Sequence, residues 1–130
     1  MNPAEYTRGQ CRRTYKQLMQ GFASSQHQNK ETRWAWLIAG HVVGQHDCSL
    51  HWRSHVAMLR FALELEDYPE AAGQLLRMAL VPLGHVLGKL PVGNIGRATV
   101  SAFKPMAVDE PIMRLILEAQ TKAATGMPRS

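Results

Sequence analysis

Residues 30–65 predict the fold most directly, and they read KETRWAWLIAGHVVGQHDCSLHWRSHVAMLRFALEL. Apolar side chains recur at helical spacing in both halves of this stretch: Trp34, Leu37, Ile38 and Val42, then Trp52, Val56, Leu59 and Leu63. Between the halves, residues 44–49 contain Gly, Asp and Ser, which are typical of a turn, and Asp47 or Ser49 can cap the next helix. The stretch therefore predicts a hairpin of two helices, at about 30–45 and 50–65.

The same spacing predicts further helices on both sides of the hairpin. A first helix is expected to begin near Asn2 and Pro3, because these residues suit a helix N-terminus. A fourth helix is expected to start near Pro69, and Pro82 should kink or end it. A last helix is expected to begin within residues 109–111.

Residues 88–108 separate the fourth helix from the last one. Glycine and proline recur in this segment, at Gly88, Pro91, Gly93, Gly96 and Pro105. We expect a long non-helical strap that wraps back over the helices, although the glycine-rich part also resembles a loop that cradles an anion. The prediction is an all-α fold of four or five helices in antiparallel hairpins. We expect one domain over residues 1–130, with a frayed tail from about residue 125.

Composition excludes several classes of protein. With 130 residues, 45% of them hydrophobic, the chain has enough apolar material for one core and is not a disordered tail. Its apolar runs are far shorter than the roughly 20 residues that span a bilayer. Residues 1–23 are rich in charge and lack the apolar core of a secretory signal. We therefore expect a cytoplasmic protein without a membrane anchor, in which Cys11 and Cys48 are reduced thiols.

The chain is basic, with 15 Lys and Arg against 10 Asp and Glu and a net charge of +5. Arg8, Arg12 and Lys16 recur every four residues and would lie on one helix face. No groove-reading motif accompanies this stripe. A solvated helix face is therefore favoured over a nucleic-acid partner.

The histidines are the most informative feature of the sequence, because four of the six fall within residues 41–55. His51 and His55 are four residues apart and would project from one helix face. If the hairpin turns near residues 47–48, His41 lies about 10 Å down one helix and His55 about 11 Å down the other, at ~1.5 Å per residue. The three imidazoles would therefore lie along one seam, which is the line of contact between the two helices of the hairpin. Such a set is typical of an open transition-metal site. The sequence therefore predicts His41, His51 and His55 as metal ligands.

Three further residues near this seam are candidates for a fourth ligand. Gln45 is level with His51 and could instead orient an imidazole by hydrogen bonding. Cys48 lies at the turn and Met58 follows His55 by three residues, although a plain thiol is favoured for Cys48 and a core side chain is favoured for Met58. By helical phase His46 points away from the seam, and His27 and His85 receive no role.

The metal cannot be chosen from the sequence, because nitrogen-rich sites accept copper, zinc or nickel in the Irving–Williams order. A hydrogen-bonded His/Gln network and unrelated surface histidines are the alternatives to a metal site. Common catalytic motifs such as G-x-S-x-G, a Walker lysine loop and H-E-x-x-H are absent, so no reaction is indicated.

A longer pattern surrounds the histidines. It reads His41-x-x-Gly44-Gln45, His51-x-x-x-His55-x-x-Met58-Leu59-Arg60, Gly73-Gln74-Leu75-Leu76-Arg77, Pro91-x-Gly93-Asn94-x-Gly96, Val100-Ser101 and Phe103-x-Pro105-Met106. Over about residues 34–107 the chain resembles a group of small bacterial proteins known only as a domain of unknown function. The resemblance implies that the three histidines belong to a shared pattern, and it implies no activity. Residues 66–80 also resemble the turn and second helix of a tetratricopeptide unit, which permits that kind of helix stacking.

Two functional hypotheses follow. The first is a small cytosolic metal-binding protein that serves metal handling or a small metalloenzyme reaction. The second is a helical module for protein–protein interaction in which the histidines are structural.

Overall fold

A computed structural model describes residues 7–88, 94, 96–98 and 107–125. These residues contain five helices, which are α1 (Arg8–Ala23), α2 (Lys30–Gly44), α3 (Cys48–Glu64), α4 (Tyr68–Leu87) and α5 (Glu110–Thr125). These helices account for 80% of the described residues, and no strand occurs among them. The prediction of an all-α fold is confirmed. The extent of the domain over residues 1–130 stays a prediction.

Side-chain caps begin four of the helices. Thr7, Asn29, Asp47 and Asp67 each accept a hydrogen bond from the backbone N–H three residues later, which satisfies a donor that the helix leaves free. Thr7 and Gln10 form a reciprocal capping box. The helix that was expected to begin near Asn2 therefore begins at Arg8, and Asn2 and Pro3 lie outside the described residues.

The fourth helix differs from its prediction, because α4 continues through Pro82 to Leu87. Proline removes one helical hydrogen bond, and Pro82 occupies an exposed position of the helix. The helix ends at Gly88, whose φ of 65° is a left-handed conformation that glycine adopts without strain. This extra turn and a half of helix carries His85.

The helices pack around α2, which contacts α1, α3 and α5, while α4 packs on α3. One apolar cluster joins α1, α2 and α5, and it contains Leu18, Ala39, Val42, Ile112, Ile116 and Ala119. A second joins α2, α3 and α4, and it contains Trp34, Leu37, Met58, Phe61, Ala62 and Ala71. The connections between α2 and α3 and between α3 and α4 are three residues each, so these neighbours form helix hairpins.

The strap is described only at residues 88, 94, 96–98 and 107–108, and the rest of it lies outside the described residues. Residues 94 and 96–98 lie against the helices, where Gly73 leaves room on α4 for Ala98. The part of the strap that is described therefore packs on the helices.

The basic stripe of α1 lies on the surface. Arg8 and Arg12 contact the Asp47 carboxylate at 3.1 and 3.5 Å, and their side chains are 73% and 54% exposed. Although the Asp47 side chain is only 7% exposed, both cations reach into solvent, so these ion pairs contribute little to stability. None of the described helices is long and apolar enough to cross a membrane.

Met58 is expected to act as a core residue, because its side chain is fully buried in the second apolar cluster. Met58→Ala should lower the free energy of unfolding by about 2–5 kcal/mol, whereas Met58→Leu should cost less than ~1.5 kcal/mol. Urea denaturation measures both values. Leu117→Ala, at a half-exposed position of α5, is the matched control. Equal losses for Met58→Ala and Leu117→Ala would contradict the assignment.

Candidate metal centre

Three buried histidines meet at the α2–α3 hairpin. His41 comes from α2, His51 and His55 come from α3, and their exposures are 2%, 6% and 2%. The Nε2 atom of His51 lies 3.1 Å from Nε2 of His41 and 3.2 Å from Nε2 of His55. The hairpin therefore directs three ring nitrogens at one small volume, a geometry that could hold a metal ion.

The far side of the His41 ring determines which of its nitrogens carries the proton. His41 Nδ1 lies 2.8 Å from the backbone carbonyl oxygen of Asn94. A carbonyl oxygen can only accept, so Nδ1 must donate. In the neutral ring Nε2 then has no hydrogen, and its lone pair points at the other two imidazoles.

The same argument applies to His55, whose Nδ1 lies 2.7 Å from Oε1 of Gln74. The orientation of the Gln74 amide follows from its other contacts, because its Nε2 donates to Glu70 Oε2 at 2.9 Å and to the Gly96 carbonyl at 3.0 Å. Both of those partners are acceptors, so Oε1 faces His55 and Nδ1 of His55 donates. His55 Nε2 also presents a lone pair to the centre.

The carboxylate behind Gln74 is buried and fully engaged. Glu70 is 3% exposed, and it pairs with Arg97 at 2.9 Å and accepts from the Ala98 N–H at 2.6 Å. Arg97 in turn lies 4.1 Å above the ring of Trp34. A buried carboxylate costs much free energy unless it is paired, and here it joins α4 to the strap. The position of the Gln74 amide therefore depends on this connection.

His51 differs from the other two because its Nδ1 faces a fourth histidine, with His85 Nε2 at 3.0 Å. Two proton arrangements satisfy this contact. In one, His85 donates to His51 Nδ1, and His51 Nε2–H points at the lone pairs of His41 and His55. In the other, His51 Nδ1–H donates to His85, and all three Nε2 atoms present lone pairs to the same volume. The second arrangement is the one a cation requires.

Gly96 permits the strap to lie against the His41 ring. A Cβ atom at this position would come within 2.7 Å of His41 Cδ2, and its φ of 81° lies in the left-handed region that favours glycine. Asn94 supports the same turn, because its Oδ1 accepts from the Gly96 N–H at 2.9 Å. This close approach of the strap backbone brings the Asn94 carbonyl oxygen within hydrogen-bonding distance of His41 Nδ1.

Burial keeps these imidazoles neutral near pH 7. Desolvation, followed by the neighbouring histidines, holds the pKa of His41 well below 6.5. Desolvation is also the main cause that lowers the pKa of His51 to about 3 and the pKa of His55 to about 4. Neutral imidazole is the form that binds a metal, so the cluster is in its ligating state at physiological pH.

The three further candidates from the sequence lie apart from these contacts. Gln45 is buried at the C-terminal end of α2, whereas the Nδ1 partners of the three histidines are Asn94, Gln74 and His85. Cys48 is an exposed free cysteine at the start of α3. Met58 belongs to the apolar core. A fourth ligand from Gln45, Cys48 or Met58 stays a prediction.

Sequence reasoning missed the groups that orient the imidazoles. His85 received no role because Pro82 was expected to interrupt α4. Gln74, Asn94 and Gly96 belong to the quoted family pattern, but the sequence by itself indicates only that they lie in a helix and a loop. The family pattern contains these polar and glycine positions together with the histidines, and this association is the signal that could have linked them to the site.

Comparison with known families assigns the chain to one of them. A family model described as "Protein of unknown function (DUF3703)" matches residues 9–116 of the 130. The chain belongs to this family. No curated protein and no solved structure matches it. The DUF3703 match spans the three histidines and the groups behind them, and it confirms the expected membership in a family of unknown function.

The lowered histidine pKa values predict how stability depends on pH. Below pH ~6.5 the unfolded chain gains protons at these histidines, whereas the folded imidazoles stay neutral until about pH 4 and 3 for His55 and His51. The free energy of unfolding of the metal-free protein should therefore fall as the pH is lowered through this window. The expected slope is about 1.4 kcal/mol per pH unit for each histidine.

Urea denaturation between pH 7 and 5 measures this slope. His55→Gln removes one titrating group and should reduce the slope by about 1.4 kcal/mol per pH unit. A wild-type free energy of unfolding that is constant from pH 7 to 5 would contradict the assignment.

Proposed function

We propose that this protein binds one transition-metal ion, copper, zinc or nickel, through Nε2 of His41, His51 and His55. The observation that carries the proposal is the convergence of the three Nε2 atoms, with His51 only 3.1 and 3.2 Å from the other two. Two of these atoms must present lone pairs, and an ion in their midst satisfies all three at once. A water molecule, a substrate or a side chain would complete the coordination.

The chemistry of the donor set limits the metal. All three donors are neutral imidazole nitrogens, which suit copper, zinc and nickel, whereas calcium and magnesium prefer oxygen ligands. Binding requires no net loss of protons from the ligands, since His51 needs only to move its hydrogen from Nε2 to Nδ1. His85 accommodates that move by changing from donor to acceptor on the same contact.

We place this activity in metal handling or in a small metalloenzyme reaction of a bacterial cytoplasm. The alternative is a helical interaction module in which the histidines form only a hydrogen-bonded network, with the hydrogen of His51 Nε2 shared between His41 and His55. One observation favours an interaction role in addition to the metal site, namely the long apolar face that α4 exposes. Metal analysis of protein purified without a histidine tag separates the two.

Replacing any one ligand should abolish most of the metal binding. We expect one zinc ion per wild-type chain by isothermal titration calorimetry, and His41→Ala, His51→Ala or His55→Ala should each remove most of it because two imidazoles cannot complete the site. His46→Ala is the matched control, since His46 is exposed at the same turn. Circular dichroism verifies that each variant is folded. Undiminished zinc binding by all three folded ligand variants would refute the site.

Gln74 should affect the site through His55. Gln74→Ala removes the acceptor on His55 Nδ1, so the ring loses its fixed tautomer, and zinc affinity should fall about 10- to 100-fold. Gln45→Ala is the matched comparison, because Gln45 is also a buried glutamine and is the residue that the sequence suggests for this role. A larger loss for Gln45→Ala than for Gln74→Ala would contradict the assignment of Gln74.

A further inference from the structure

The outward face of α4 is entirely apolar. Ten residues of this helix are exposed, and they are Tyr68, Pro69, Ala72, Leu75, Leu76, Ala79, Pro82, Leu83, Val86 and Leu87. The helix has two formal charges, Glu70 and Arg77, and both are buried on the opposite face. Monomeric proteins rarely expose a contiguous apolar face of this length, and such faces mark sites of association.

The apolar residues form a stripe with a regular 4-3-4-3 spacing: Ala72, Leu76, Ala79, Leu83 and Val86. This is the spacing of a seam between two packed helices. It is also nearly symmetric about Ala79, because a leucine lies three residues before and four residues after it, and an apolar residue lies seven residues away on each side. Two antiparallel copies of the stripe would therefore pair Leu76 of one chain with Leu83 of the other, and the small Ala79 at the centre allows close approach.

The net charge of the chain also favours a second copy of the chain as the partner. The chain has a net charge of +5, so two copies repel each other unless the surfaces that meet are neutral. The exposed residues of α4 form such a surface. An acidic partner would find no basic residue on this face. A membrane-surface helix would be expected to have Lys or Arg beside its apolar stripe, and α4 has Gly73, Met78, Leu80, Gly84 and His85 there.

We infer that two copies of this chain associate through the exposed face of α4, with the helices antiparallel about a two-fold axis next to Ala79. Such an interface is isologous, as in most homodimers. The stripe from Ala72 to Val86 is about 21 Å long at ~1.5 Å per residue, which is short for a stable interface. The association is therefore expected to be in the micromolar range. It does not require the metal site, since Gln74 is buried on the opposite face of α4 and His85, which contacts His51, is not a member of the stripe.

Sedimentation velocity of the full chain between about 1 and 200 µM tests this surface. The wild type should pass from monomer to dimer, and Leu76→Glu or Leu83→Lys should remain monomeric because each places a charge in the seam. Leu117→Glu, at an exposed apolar position of α5, is the matched control and should still dimerise. Because Leu76 and Leu83 are exposed, both variants should keep the wild-type circular dichroism spectrum and zinc binding.

Mixing the two seam variants identifies the partner. In an antiparallel pair, Glu at one position meets Lys at the other, so the Leu76→Glu and Leu83→Lys chains together should regain dimer that neither forms alone. A wild type that stays monomeric at 200 µM would overturn the inference. So would dimerisation that survives both substitutions, or a monomer that binds anionic phosphatidylglycerol vesicles through these leucines.

Discussion

Two hydrogen bonds on the outer side of the imidazole rings are the constraint on which the rest of this structure depends. His41 Nδ1 donates to the Asn94 carbonyl and His55 Nδ1 donates to the Gln74 amide. Each acceptor forces a lone pair onto the inward Nε2 atom, where burial also prevents protonation. Without these two contacts the histidines could satisfy one another in several ways. With them, the lone pairs of His41 and His55 can be satisfied in two ways. Either Nε2 of His51 carries a hydrogen that points at them, or all three Nε2 atoms bind one cation.

The cost of building this centre explains much of the surrounding architecture. Gln74 is held in one orientation by Glu70 and Gly96, and the buried Glu70 carboxylate is compensated by Arg97 and the Ala98 N–H. A buried polar network stabilises a single arrangement only when its members have partners. The strap is thus part of the site, because Asn94 supplies an acceptor for His41 and Arg97 supplies a cation for Glu70. α4 serves both functions proposed for the protein, with polar residues on its inner face and an apolar stripe on its outer face.

The sequence was sufficient to predict the hairpin and the meeting of the three histidines. Helical rise and a short turn put His41 level with His55, and the four-residue spacing put His51 on the same face. It was not sufficient for the groups behind the rings. Asn94 acts through its backbone carbonyl, which no side-chain pattern reveals, and its position depends on the left-handed turn at Gly96. His85 depends on a helix that continues past Pro82, and local sequence rules predict a break there because they do not register that the proline faces solvent.

The tautomers of the histidines test this account most directly. A long-range ¹H–¹⁵N NMR spectrum of the ¹⁵N-labelled protein distinguishes a hydrogen on Nδ1 from one on Nε2 in each ring. Before metal is added, His41 and His55 should both carry their hydrogen on Nδ1. After one equivalent of zinc, His51 should join them, and all three Nε2 resonances should move to metal-bound positions. A hydrogen on Nε2 of His41 or His55 in the metal-free protein would contradict the account. So would resonances of the three imidazole rings that do not change when zinc is added.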